Sequence, residues 1–314
     1  MDRRLCIFTI VGSLFVAAPL PAQAPGAPFT IEETGAGFGT LAEAVAAIGE
    51  GEGTILIAPG RYRQCASQAA GDIAYVAREP GTAIFDGVAC EGKAALVLGG
   101  RSARVDGLVF QNIRVPDLNG AGIRLETGDL TVRESLFRDG ENGILVATDH
   151  SGTIRVAQST FSGLGQCPEN AGCSHSIYNS GAATLIVTRT RFERGTGGHY
   201  LKSRGARIEV TDSSFDDSAG RATNYMIDLS NGATGTIARN VFVQGADKEN
   251  YSAFIMVAPE GAEHSSAGLD ISGNQADLAP GVDRRTSFVA DGSGDQINVA
   301  NNRIGARIAR FERR

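Results

Sequence analysis

The chain is 314 residues long, carries a net charge of −6 and is 42% hydrophobic with no tryptophan. An acidic balance of this size argues against nucleic acid as a partner, while leaving room for a local basic patch. The length suits one large domain with a substantial core, and no linker-like stretch divides it.

Residues 1–24, "MDRRLCIFTIVGSLFVAAPLPAQA", start basic, continue apolar and end in small residues, the pattern of a secretory signal peptide. The apolar run is short and broken by Pro19 and Pro21, unlike a membrane anchor. Cleavage is expected between residues 22 and 26. The mature chain would then be periplasmic or secreted, with no membrane span. The leader removes Asp2, Arg3 and Arg4, leaving 27 basic and 34 acidic residues, a net of −7. Cys65, Cys90, Cys167 and Cys173 remain, and an even count in an exported chain implies disulfides. Cys167 and Cys173 are expected to pin their own loop, and Cys65 and Cys90 to join successive turns. Without a Cys-x-x-Cys, and with only four histidines, no metal site is expected.

The segment "GTLAEAVAAIGEGEGTILIAPGRYR" predicts a helix near 40–49, with Leu41, Ala44, Val45 and Ile48 on one face, followed by a first strand. A phrase then recurs in which an aliphatic residue precedes an aromatic one by five places: Val105/Phe110, Val132/Phe137, Val156/Phe161, Val187/Phe192, Val210/Phe215 and Ile237/Phe242. Fainter copies begin at Ile271 and Val299, and the anchors lie 27, 24, 31, 23, 27, 34 and 28 residues apart. Such a period denotes a solenoid. Each repeat holds short alternating runs and no apolar helical face, so helical repeats, leucine-rich repeats and propeller blades are set aside in favour of a parallel β-helix. The valines and phenylalanines form internal ladders, and the early helix covers the first turn, where open strand edges would otherwise be exposed.

The helix-then-strand opening resembles the N-terminus of the pectate-lyase-like superfamily of right-handed parallel β-helices. The resemblance implies an all-β fold, a single right-handed parallel β-helix over residues 27–314 with an N-terminal capping helix. It does not by itself imply an activity.

Candidate chemistry is concentrated in three consecutive repeats, "CSHSIYNSGAATL", "GGHYLKSRGARI" and "NYMIDLSNGATG". With Ile177, Leu201 and Ile227 as inward anchors, Tyr178, Lys202 and Asp228 face outward in one column, and Ser180, Arg204 and Ser230 in the next. Arg124 and Glu126 enter the same columns two turns earlier. The turn between offers Leu145 and Ala147, and the turn after offers Val257 and Pro259. His175, His199 and Tyr225 share a column two places before the anchors. Strict alternation turns them into the tube, whereas a later strand start would leave them rimming the cleft. Asp216 and Asp217 read as solvated turn residues, and the asparagines near Asn301 as a turn ladder.

Such groups suit β-elimination of an acidic polysaccharide or oligosaccharide. A cation neutralises the uronate, a base takes the proton from sugar carbon five, and an acid supports the departing oxygen. Arg204 would neutralise, Lys202 or Tyr178 would act as base, and Tyr178, His175 or His199 as acid. Asp228, Tyr225, Arg124, Glu126 and Tyr200 would contact substrate. The arrangement is similar to that of β-helix lyases acting on alginate and chondroitin, without their sequence motifs. No cofactor is expected; calcium is the one candidate, and no site for it stands out. The "NTD" and "DD" phrases of polygalacturonases in their usual setting, and the Trp-bearing motifs of pectin methylesterases and pectate lyases, are missing. Two rivals stay open: a uronate epimerase or glycoside hydrolase, and a non-catalytic polysaccharide-binding or cell-envelope solenoid.

Overall fold

The computed structural model describes residues 26–169 and 172–314. The expected signal peptide lies outside the described residues. Three parallel sheets of 12, 10 and 10 strands run the length of the molecule, each visited once per turn. One turn illustrates the course: Asp129–Arg133 lies in the first sheet, Leu136–Arg138 in the second and Asn142–Val146 in the third. Each pairs with the same strand of the turns before and after. Only the opening strand Phe29–Ile31 runs antiparallel, to Gly37–Phe38 and Glu52–Ile57. The all-β, right-handed parallel solenoid expected from the repeats is what forms.

The helix Leu41–Ile48 covers the first turn. Thr40 caps its N-terminus by accepting from the Glu43 amide, and Glu43 reciprocates on the Thr40 amide, so two otherwise unpaired donors are satisfied. Its buried face, Leu41, Ala44 and Val45, joins the interior that includes Phe29 and Tyr62.

Inside the tube, Phe85, Phe110, Phe137, Phe161, Phe192, Phe215 and Phe242 stack ring on ring with centroids 4.6–5.7 Å apart. That separation follows from the strand spacing, which brings identical rungs into contact. The ladder reaches one turn further upstream than the repeat phrase.

A tight corner between the first and second sheets explains the polar residue in that phrase. The corner residue is left-handed on successive turns (Gly107, Glu134, Gln158, Arg189, Asp212, Arg239, Gly273, Asn301; φ 47–70°). The residue after it accepts a backbone N–H from the preceding turn: Ser135→Ser159, Thr190→Ser213, Ser213→Asn240, Asn240→Asn274 and Asn274→Asn302, at 2.9–3.2 Å. Each of these five amides is thereby satisfied from the next turn. Both disulfides join the expected partners, Cys65–Cys90 between neighbouring turns and Cys167–Cys173 within one loop. No helix among the described residues is long and apolar enough to cross a membrane.

Candidate functional site

The third sheet sets the register of the site. Ile177, Leu201, Ile227 and Ile255 pair in sequence and are fully buried, so Tyr178, Lys202, Asp228 and Met256 follow one another in the next column. The turn after the site therefore contributes Met256 and Ala258, not Val257 and Pro259. The run Ala253–Val257 is buried throughout and gives no alternation from which to choose a register.

The residue before three of these four anchors also points inward: Tyr200, Met226 and Phe254 belong to the interior cluster. Two successive inward residues break the alternation, because the short strands begin only at Ile177, Leu201 and Ile227. His175, His199 and Tyr225 are thereby turned to the outer face. Tyr225 packs there with Ala253, Met256 and Ala290, apart from the interior. His175 meets the Tyr178 ring edge-on at 4.9 Å, stacks on His199 at 5.0 Å, and His199 stacks on Tyr225 at 5.5 Å.

Tyr200 is corrected by the same geometry. Its side chain is inside the tube, where its hydroxyl donates to Asp217 Oδ1 at 2.7 Å and accepts from the Gly195 amide. It cannot contact a substrate. Asp217 is not a solvated turn residue either. It is fully buried against Lys248 Nζ at 3.2 Å and accepts from Thr223. Arg124 and Glu126 hold the expected columns but pair with each other at 3.3 Å, and Glu126 also takes Lys93 at 2.8 Å. The Leu145 rung separates them from Tyr178.

The remaining groups converge. Arg204 donates to the Tyr178 hydroxyl at 2.7 Å, and its guanidinium lies 5.7 Å from the ring centre. Lys202 Nζ lies 3.4 Å from Asp228 Oδ2 and 5.8 Å from the Tyr178 ring. His199 Nε2 reaches the same Asp228 oxygen at 3.2 Å, while Asp228 Oδ1 is buried without a hydrogen bond. His175 Nδ1 accepts from the His199 amide at 3.0 Å, which places its ring proton on Nε2. Asn142 holds the His175 amide at 2.8 Å.

Glu260 completes the cluster and was not apparent from the spacing. It stands on the turn beyond the Ala253–Val257 strand, with its amide on Ser230 O at 3.0 Å. Its carboxylate bridges Lys202 and Arg204. Two cations thus face two carboxylates. The enclosure is asymmetric: Lys202 and Asp228 are 7% and 2% exposed, whereas the Glu260 side chain is 40% exposed. The nearest sequence signal was an acid in a turn after an outward column, a feature shared with many solvated turns.

Burial sets the proton affinities. It raises the Asp228 carboxyl to about 6, against the pull of Lys202 and with added repulsion from Glu260. Glu260 also feels burial, but Lys202 and Arg204 outweigh it and hold its carboxyl below the usual range. Burial takes His175 down to about 3, helped by the charges of Lys202 and Arg204, and depresses His199 strongly as well. Both imidazoles are neutral at pH 7. A carboxyl raised to about 6 in contact with an amine and an imidazole is equipped for proton transfer. Among the described residues no group of three or more His, Cys, Asp or Glu is placed to hold a metal ion.

Residues 121–304 match the family described as the right-handed beta helix region. No curated protein and no solved structure matches the chain. The match covers more than half of the sequence and all three turns of the site, and the chain belongs to the right-handed β-helix family.

Proposed function

We propose that this is an exported, pectate-lyase-like enzyme that cleaves an acidic, uronate-containing polysaccharide by β-elimination at the Tyr178–Lys202–Asp228 cluster. The observation that carries the reading is Glu260. Lys202 and Arg204 together hold a carboxylate, and the same Arg204 guanidinium donates to the Tyr178 hydroxyl. A substrate carboxylate that displaced Glu260 would inherit both cations, which is the neutralisation that acidifies the adjacent C–H. Entering the step as a phenolate on the Arg204 guanidinium, Tyr178 would take that proton and become the phenol, the C4–O bond would break as the C4=C5 double bond forms, and the phenol would pass the proton to the departing oxygen, restoring the phenolate. The two disulfides fit an oxidising compartment outside the cytoplasm.

A second reading, a non-catalytic glycan-binding solenoid, is favoured by one observation: in the resting arrangement the charges are balanced, two cations against two carboxylates. Incubation with a panel of polyuronates separates the two. Elimination predicts rising ultraviolet absorbance from the unsaturated end, lost in Tyr178→Phe and Lys202→Ala, with KM lowered in Glu260→Gln because the internal competitor is gone. Solvent deuterium entering the sugar without cleavage would assign epimerisation instead. Binding without turnover on any acidic glycan would leave the passive solenoid.

A further inference from the structure

A second charged feature lies outside this cluster, on the turns that lead from the second sheet to the third. Five successive turns line a groove of about 550 Å³. Arg114 follows the strand Leu108–Gln111, Asp139 follows Leu136–Arg138, Gly163 follows Thr160–Ser162, Arg194 follows Arg191–Glu193, and Arg221 follows Ser214–Asp216. Four inter-turn steps of roughly 5 Å separate Arg114 from Arg221, so the cationic groups span roughly 20 Å along the tube.

Three arginines face one acid in this groove. Arg194 donates to Ser162 Oγ at 3.0 Å and reaches Asp139 at 3.5 Å. Arg114 and Arg221 are exposed, and no ion pair forms at either among the described residues. The floor is kept clear by glycine. At Gly163 (φ +65°) a Cβ would stand 2.7 Å from Asp139 Oδ1 and 3.5 Å from the Arg194 guanidinium, filling the space between them. Arginine is the residue best matched to planar carboxylates and to sulfates, through paired N–H donors.

We infer that this groove binds an extended acidic glycan, one sugar chain lying parallel to the tube axis. Three features select that class. The positive groups stand on the first, fourth and fifth of five successive turns, so a ligand that meets all of them must run along the tube. No aromatic side chain lines the groove, so nothing is present on which nucleic-acid bases would stack. The chain as a whole is acidic, which opposes non-specific nucleic-acid binding. The groove lies on turns that also carry the cluster. Arg194 lies eight residues before Lys202, and Arg221 seven before Asp228, on the same two turns. A polymer held there is kept at the corner from which those strands emerge. The inference does not depend on catalysis, since the groove would hold the polymer whether or not the cluster turns it over.

The test is titration calorimetry on the mature protein with oligogalacturonate and with dextran sulfate, using dextran and a single-stranded oligonucleotide as comparisons. The variants are Arg114→Ser/Arg221→Ser, Asp139→Asn and Arg155→Ser. At least one acidic glycan is expected to bind in a salt-sensitive manner. The double arginine variant should weaken it about tenfold or more with an unchanged melting curve, roughly the loss of two exposed charge contacts. Asp139→Asn should tighten it, and Arg155→Ser, which removes an exposed charge on the first sheet away from both the groove and the cluster, should leave it within about twofold of wild type. Undiminished affinity in the double variant, an equal loss in Arg155→Ser, an oligonucleotide that binds more tightly than either acidic glycan, or no binding of either one would each overturn the inference.

Discussion

At the scale of the residue, burial acting on charge decides what the site can do. Asp228 and the two histidines push the stability of the fold in opposite directions with pH. An imidazole held at about 3 binds its proton in the unfolded chain first, near 6.5. The stability it confers is complete above that value and is lost as pH falls toward 3. Asp228, raised from 3.8 to about 6, binds its proton in the folded chain first. The cost of burying its charge is present above pH 6 and is relieved as pH falls toward 3.8. Asp228 thus offsets part of the histidine loss between those limits. Asp228→Asn removes the offset, so chemical denaturation from pH 7 down to about 4 should show a steeper decline than wild type. Equal slopes for the two proteins would refute the assignment. Glu260 is governed the other way, because its partial exposure lets its two cations prevail over burial.

At the scale of the element, the left-handed corner and its polar ladder carry the turn geometry. Asn240 accepts the Ser213 amide at 2.9 Å and donates to Val210 O at 2.8 Å. Asn240→Ala leaves both groups buried and unpaired, and a loss of about 1–3 kcal/mol is expected; equilibrium unfolding measures it, and a change near zero would mean water replaces the amide. Much of this element was legible. A large aromatic at a fixed offset from an aliphatic residue marks Phe110 to Phe242, and the corner polar residue recurs with it. Phe85 escaped because its turn lacks the aliphatic anchor at that offset, and Ala276 and Ile304 carry the same rung downstream without an aromatic ring. The slip at Met256 has the same origin as the ambiguity at His175 and His199. Two consecutive residues point inward at Tyr200–Leu201, Met226–Ile227 and Phe254–Ile255, a local break in alternation that a period of two does not reveal.

At the scale of the whole molecule, stability is a sum of contacts between neighbouring turns. Phe161 stacks between Phe137 at 4.7 Å and Phe192 at 5.1 Å, with no exposure. Phe161→Ala therefore opens a cavity in the middle of the stack, and a loss of about 3–5 kcal/mol is expected. Calorimetry should show the loss concentrated in the turns on either side. A uniform shift of one sharp transition would instead indicate that the tube melts as a single unit. Stacking also explains what spacing could and could not disclose about the site. Tyr178, Lys202 and Asp228 come together because they hold one column on consecutive turns, and period alone reveals that. Glu260 arrives from a turn 58 residues beyond Lys202 and leaves its column to reach across, which depends on loop course and not on register. Tyr200 was misplaced for the opposite reason, since its inward turn comes just before the strand whose alternation was used to place it.

The stacking of Tyr225 and Tyr178 around the imidazoles has a practical corollary. With no tryptophan in the chain, phenol emission is unmasked, and two of the six tyrosines sit on the outer cluster while Tyr75 and Tyr200 are sealed inside the tube. The molecule therefore carries its own optical reporter. A guest that parts Arg204 from Tyr178 would alter the intrinsic fluorescence without any label, and Tyr178→Phe would silence that share of the signal while the interior chromophores remain as an internal standard.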